Sequence, residues 1–330
     1  MSKSTLNHTT SELAFFGKLP CRGDFVRSSQ HGLLTDTLDQ WQSQTMDRLS
    51  ADPRWKLVYD AAPAVSFAVL GTGSQLGLAG HWLASQDASG RRFPFITASA
   101  FEQDDPREFA RVSPVALGLI WARLEQVARV AHAATEFEHA QSSLMAPLAV
   151  VFHPEAAANA FQDFLETHTV ASLEQMLAAS GSRVSLRQAT LALGLLLQPA
   201  MAQGAARLHK VLCLPLVHDQ AMKGVVAAWW LSLVLGFFAR HQIELGLFLA
   251  SLDGVPYLML GFHGASPATL SAVIDPAAMR AQGVQLTDLD WIESEVAADY
   301  GLRKLSTYLL DPGLSLAHAL SVYEEVFLGV

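Results

Sequence analysis

The chain has 330 residues, of which 51% are apolar and only 16% charged, against about 25% charged in an average soluble protein. That composition excludes intrinsic disorder, and two cysteines exclude a disulfide scaffold. The net charge of −9 is unevenly placed: residues 275–330 hold 3 basic and 9 acidic residues, and no basic run exceeds two adjacent side chains. Without a basic stripe, neither nucleic acid nor an anionic membrane surface is an expected partner.

Residues 1–11 are read as a flexible lead with no apolar signal-like stretch, so a cytoplasmic protein is expected, with Cys21 and Cys213 reduced. Leu13–Gly17 reads as a first strand. Thr35 or Asp36 would cap a helix carrying Leu38, Trp41, Met46 and Leu49, which Asp52-Pro53 stops. Strands are expected at Ala64–Leu70, Leu76–Leu83 and Phe93–Ala98. Asp105, Pro106 and Glu108 form a strong helix start. Ser113-Pro114 is expected to restart that helix, and Leu117, Ile120, Trp121, Leu124, Val127, Ala128 and Ala131 then keep a helical period.

A short strand is predicted at Leu148–Phe152, then helices at Glu155–Thr167, Ser172–Ala179 (closed by Gly181) and from Ser185 to Gln198. Lys210–Val217 reads as a strand. The longest apolar run, Gly224–Ala239, is 16 residues long, short of the ~20 that span a bilayer. It is therefore taken as a buried core helix, with the adjacent Trp229 and Trp230 packed on several sides. Leu245–Leu249 and Val255–Gly261 flank Asp253-Gly254, a hairpin signal. Beyond Asp275 the pattern is acidic and helical; the segment either contacts a basic partner surface or, as Leu286, Leu289, Ile292, Val296 and Tyr300 suggest, forms an amphipathic helix covering one sheet edge. Several neighbouring strands lack a crossover helix. The expected class is α/β, with a mixed sheet covered by helices on both faces.

Two loops concentrate charge. Phe15–Arg27 packs Lys18, Arg22, Asp24 and Arg27 between Gly17 and Gly23, with Leu19 held extended before Pro20. It is either a turn in which Arg22 and Asp24 pair or a recognition loop. Asp87–Pro94 places Arg91 and Arg92 after Gly90 and before Phe93. This is either a solvated hairpin tip or a site for a carboxylate or phosphate.

Other chemistry has weaker support. Gly71-Thr72-Gly73-Ser74-Gln75-Leu76-Gly77 follows a strand, but its third glycine falls one place late for a dinucleotide loop and no helix start follows. There is no phosphate-binding lysine loop and no nucleophile elbow. His132, Glu136 and His139 have one-face helical spacing, with an exposed helix end as the plainer reading. Cys21 beside Lys18 and Arg22 would have a lowered pKa, though no base is in view to use it.

The phrase G-K-L-P-x-R-G-D-F (Gly17–Phe25: Gly17, Lys18, Leu19, Pro20, Arg22, Gly23, Asp24, Phe25) is followed by S-x-D-x-x-G-R-x-F-P (Ser85–Pro94: Asp87, Gly90, Arg91, Phe93, Pro94). The pair resembles the TagF (ImpM) family of bacterial type VI secretion accessory proteins. The resemblance implies an α/β/α three-layer sandwich and no catalytic residues; the residue patterns themselves lead us to expect no metal and no cofactor. It implies a cytoplasmic negative regulator that acts after translation by binding a forkhead-associated-domain scaffold protein. The domain would cover residues 12–274, with 275–330 an acidic, mainly helical extension packed on it. The two phrases are then family motif or partner-binding residues. The rival reading is a small-ligand or nucleotide-binding α/β domain, supported by the Gly71–Gly77 turn and the paired arginines.

Overall fold

The strands of this chain carry apolar residues on both faces, which commits them to a sheet buried between layers. The computed structural model describes residues 13–148 and 153–330. In chain order the first elements are β1 (Ala14–Gly17), β2 (Val26–Arg27), α1 (Gly32–Ser50), α2 (Trp55–Asp60), β3 (Val65–Gly71), β4 (Leu76–Leu83) and β5 (Phe95–Glu102). Helices α3 (Pro106–Ala116), α4 (Gly118–Ala133), α5 (Phe137–Leu144), α6 (Pro154–Thr167), α7 (Val170–Ala179), α8 (Leu186–Leu197) and α9 (Ala200–Gln203) follow. The remainder is β6 (Val211–Pro215), α10 (Gln220–Leu235), β7 (Glu244–Leu252), β8 (Val255–Gly261), α11 (Pro267–Ile274), α12 (Pro276–Gln282), β9 (Gly283–Gln285), α13 (Ile292–Ala298), α14 (Tyr300–Leu309) and α15 (Leu316–Leu328).

Nine strands form one sheet in the order β2-β1-β5-β4-β3-β7-β8-β6-β9. The β6–β9 pair is parallel and the other neighbours are antiparallel. The fold is therefore α/β with a mixed sheet, as the missing crossover helices implied. Alternate residues face opposite sides of the sheet and feed three packed clusters, the smallest joining Phe15, Leu83 and Phe95 to α4 and α5. Phe67, Phe248, Met259 and Cys213 pack with Leu38 and Trp41 of α1 and Leu270 of α11. Leu70, Leu247, Leu260 and Leu214 pack with α3, α4, α6, α8, α10 and α15. Trp229 and Trp230 are both fully buried, and Trp230 Nε1 donates to the Pro215 carbonyl at 2.8 Å.

Several boundaries move for local reasons. Helix α1 begins three residues before Thr35, whose hydroxyl instead donates back to the carbonyls of His31 and Gly32. Asp105 caps α3 at the Glu108 amide as expected, but Pro114 lies inside that helix and does not restart it. Proline leaves the carbonyl four residues back without its usual donor, and here the Ser113 hydroxyl donates to that carbonyl, of Ala110, at 2.9 Å. The helix breaks instead at Leu117. The strand expected at Phe93 starts at Phe95. The strand expected at Leu148–Phe152 and the lead at residues 1–11 lie outside the described residues.

The segment after Asp275 contributes more than a cover. Its β9 extends the sheet beside β6, and α15 buries Leu316, Leu320, Tyr323 and Phe327 in the larger core. The single amphipathic helix expected from Leu286 to Tyr300 is absent. Leu286 and Leu289 are buried from a loop, a helix starts only at Ile292, and Tyr300 is 76% exposed.

Candidate interaction site at the paired motif loops

The antiparallel β1–β5 pairing brings the loop after β1 against the loop before β5. Gly17, with φ of +134°, passes so close to Pro94 that a Cβ would lie 2.0 Å from its carbonyl oxygen. That close approach points Lys18 into the space between the loops. Its ammonium meets Asp87 Oδ2 at 2.9 Å, with the two side chains 8% and 0% exposed. Asp87 is saturated by donors: its Oδ1 accepts from the Ser89 amide, the Ser89 hydroxyl and the Arg91 amide, and its Oδ2 also accepts from Arg91 Nε at 2.7 Å. The Lys18 hydrogen bond, followed by those from Ser89 and Arg91, holds the Asp87 carboxyl well below the usual carboxylate range.

Other bonds fasten the loops together. Arg91 reaches the Gly23 carbonyl at 2.7 Å, and the Ala88 amide donates to the Arg22 carbonyl at 2.9 Å. The Ser85 hydroxyl donates to the Lys18 carbonyl at 2.6 Å. From α2, the Tyr59 hydroxyl donates to the Ser85 carbonyl and accepts from its amide, both at 2.8 Å. Arg92 forms a two-pronged pair with Asp60 at 2.7 and 2.6 Å. Phe25 stacks on Phe16 with centroids 5.5 Å apart and meets Phe93 edge-on at 4.9 Å. Leu19 is fully buried, Pro94 is buried and Pro20 is half-buried.

The structure thus brings the two phrases into one unit and divides their residues in two. Gly17, Lys18, Leu19, Asp87 and Pro94 lie inside it. Arg22, Gly23, Asp24, Phe25, Gly90 and Arg91 face solvent, Phe25 at 40% exposure. The local Arg22–Asp24 pair is replaced: Arg22 lies over the Phe137 ring at 4.1 Å, and Asp24 accepts from the Phe25 amide at 2.8 Å. Burial is the largest influence on Cys21 and pushes its thiol up rather than down. Tyr59, Asp60 and Phe137 complete the unit from elements outside both phrases, and nothing in the local sequence marks them.

The other sequence candidates resolve into framework. The Gly71–Gly77 stretch is a hairpin turn between β3 and β4, where the Thr72 hydroxyl accepts the Ile243 amide at 3.0 Å. His132 ends α4, Glu136 sits in the break before α5 and His139 lies in α5, so the three do not share one helix face. Among the described residues no group of three or more His, Cys, Asp or Glu is arranged to hold a metal ion.

Residues 14–146 match the family model described as the TagF N-terminal domain, type VI secretion system-associated. No functionally curated protein matches the chain in sequence. Among solved structures, the crystal structure of PA0076 from Pseudomonas aeruginosa PAO1 is similar over 43% of this chain and 66% of that one, at 21% identity and a TM-score of 0.33.

Proposed function

From the match of residues 14–146 to the TagF N-terminal domain model, described as type VI secretion system-associated, we propose that this chain is a cytoplasmic negative regulator of such a system. It acts after translation, through protein–protein binding to a forkhead-associated-domain scaffold, and binds rather than catalyses. The observation that carries the reading is the union of the two family phrases through the buried Lys18–Asp87 pair. That pair makes a rigid platform from residues far apart in sequence, and rigid platforms lower the ordering cost of association. The partner meets the solvent-facing side: Arg22, Asp24, Phe25 and Arg91. Among the described residues, the one run long and apolar enough to cross a membrane, Gln220–Phe238, is mostly buried as a core helix.

The rival reading, a nucleotide-binding domain, loses its two supports. The glycine turn is a braced hairpin, and Arg91 and Arg92 are held by Asp87 and Asp60.

The test is recovery of the scaffold. The tagged full chain, expressed with the secretion cluster, should co-purify with the scaffold, and deleting its gene should raise secretion with transcript levels unchanged. Arg22→Glu and Asp24→Arg should each weaken the complex far more than the loss of the Arg22–Phe137 contact or of the Asp24–Phe25 hydrogen bond, each about 0.5–1 kcal/mol, moves the urea unfolding midpoint. Failure to recover the scaffold together with unchanged secretion refutes the regulatory reading.

A further inference from the structure

A groove of about 800 Å³ separates α4 from the first turn of α10, with the sheet at β3, β4 and β7 as its floor. Pockets that take small molecules run from roughly 300 to 1,000 Å³. The groove has no part in the platform just described, and the inference does not rest on the regulatory reading.

Its open space comes from small side chains. Gly118 and Ala122 lie one turn apart on α4, and a Cβ at Gly118 would meet nothing within 4 Å. Its charge favours an anion. Arg129 and Lys223 line it against Glu125 alone, in a chain of net charge −9. Arg129 bonds Glu125 at 2.8 Å. The Lys223 ammonium makes no hydrogen bond or ion pair among the described residues, and burial pulls its pKa down from 10.5. Asp219, the nearby cap of α10, is engaged with the Ala221 amide.

The floor carries an unsatisfied polar atom. The Ser66 hydroxyl lies 3.1 Å from His81 Nδ1, while His81, 2% exposed, has no hydrogen-bond partner at Nε2 among the described residues. Nε2 is sealed from the open space of the groove, so it bears on the packing of the floor and not on a ligand. The remaining lining mixes polar Gln220 and Ser251 with apolar side chains, Val115, Leu249 and Tyr257 inside and Leu119, 71% exposed, at the mouth.

We propose that this groove binds a small amphiphilic monocarboxylate, its acid group at Lys223 and its apolar body along Leu119, Val115 and Leu249. A single negative charge matches Lys223, which makes no close ion pair and feels only the field of Glu125, itself bonded to Arg129, while Asp219 already caps the helix end. An apolar body matches the lining that no side chain fills.

Octanoate is the probe, titrated calorimetrically into the full-length protein, with 1-octanol as the uncharged control. One octanoate should bind saturably, and octanol much more weakly. Lys223→Gln should weaken octanoate about tenfold, equivalent to ~1.4 kcal/mol. Ala122→Trp should abolish binding by filling the groove, and Lys210→Gln, an exposed site outside it, should change nothing. Thermal unfolding without ligand checks that each variant folds; if Ala122→Trp does not, Lys223→Gln and octanol decide. Absence of saturable binding at millimolar octanoate overturns the proposal. So does octanol binding as tightly as octanoate, or affinity unchanged in Lys223→Gln.

Discussion

The three glycines of the paired phrases should respond to the same substitution in three different ways. At Gly17 an alanine meets two penalties. The residue has φ of +134°, and its Cβ would lie 2.0 Å from the Pro94 oxygen and 2.8 Å from the Phe95 Cα. A side chain held at such a φ costs about 1–3 kcal/mol, and forcing backbone apart at an overpacked site costs about 1–3 kcal/mol more. Gly17→Ala should therefore lose about 4 kcal/mol, a large part of the ~5–15 kcal/mol that stabilises a typical domain. At Gly90 φ is +81° but a Cβ meets nothing within 4 Å, so only the conformational penalty remains, about 1–2 kcal/mol. Gly23 has neither a positive φ nor a neighbour within 4 Å, and its alanine should stay within about 0.5 kcal/mol of wild type. Urea denaturation followed by tryptophan fluorescence measures all three. If Gly17→Ala unfolds at the same midpoint as Gly23→Ala, the loops are not locked as described.

Tyr59→Phe should cost about 1–3 kcal/mol, because the buried Ser85 amide loses its acceptor; an unchanged urea midpoint refutes this. Lys18→Met should lower the midpoint further than Arg91→Ala, because it removes the buried partner of the Asp87 carboxylate rather than the exposed one. Burial lowers the His81 pKa from 6.5 to about 4, so between those values the unfolded chain binds a proton that the folded one refuses. Stability should then fall as pH drops through that window, by at most about 1.4 kcal/mol per pH unit, and His81→Gln should remove this part of the slope while leaving that of the carboxylates. Deleting residues 276–330 strips Tyr323, Phe327 and β9 from their places and should yield aggregates on size-exclusion chromatography; a monodisperse product would refute a packing role.

Local chemistry made much of the fold legible. The strand read at Leu76–Leu83 coincides with β4, the Asp253-Gly254 turn does close the β7–β8 hairpin, and Asp105 and Ser185 cap the helices their spacing announces. What stayed hidden depends on partners distant in the chain. Nothing near Lys18 indicates that its counterion is Asp87, 69 residues away; composition marks both loops as charged but does not say which cation meets which carboxylate. Pro114 looks like a helix start until the hydroxyl beside it is seen to bond the carbonyl that the ring leaves bare. Strand β9 is three residues long, too short for alternation to register, and it exists because β6 offers it an edge.

The strand order also sets a timetable for synthesis. Strand β5 ends at Glu102, yet the free side of β3 is not covered until β7, which begins at Glu244. At translation rates of about 5–20 residues per second, that interval of roughly 140 residues lasts about 7–28 s. Throughout it the ribosome holds a nascent half-sheet whose apolar β3 has bare amides and carbonyls along one side. The stretch that matches the family model, residues 14–146, thus emerges well before the strand that covers its open edge.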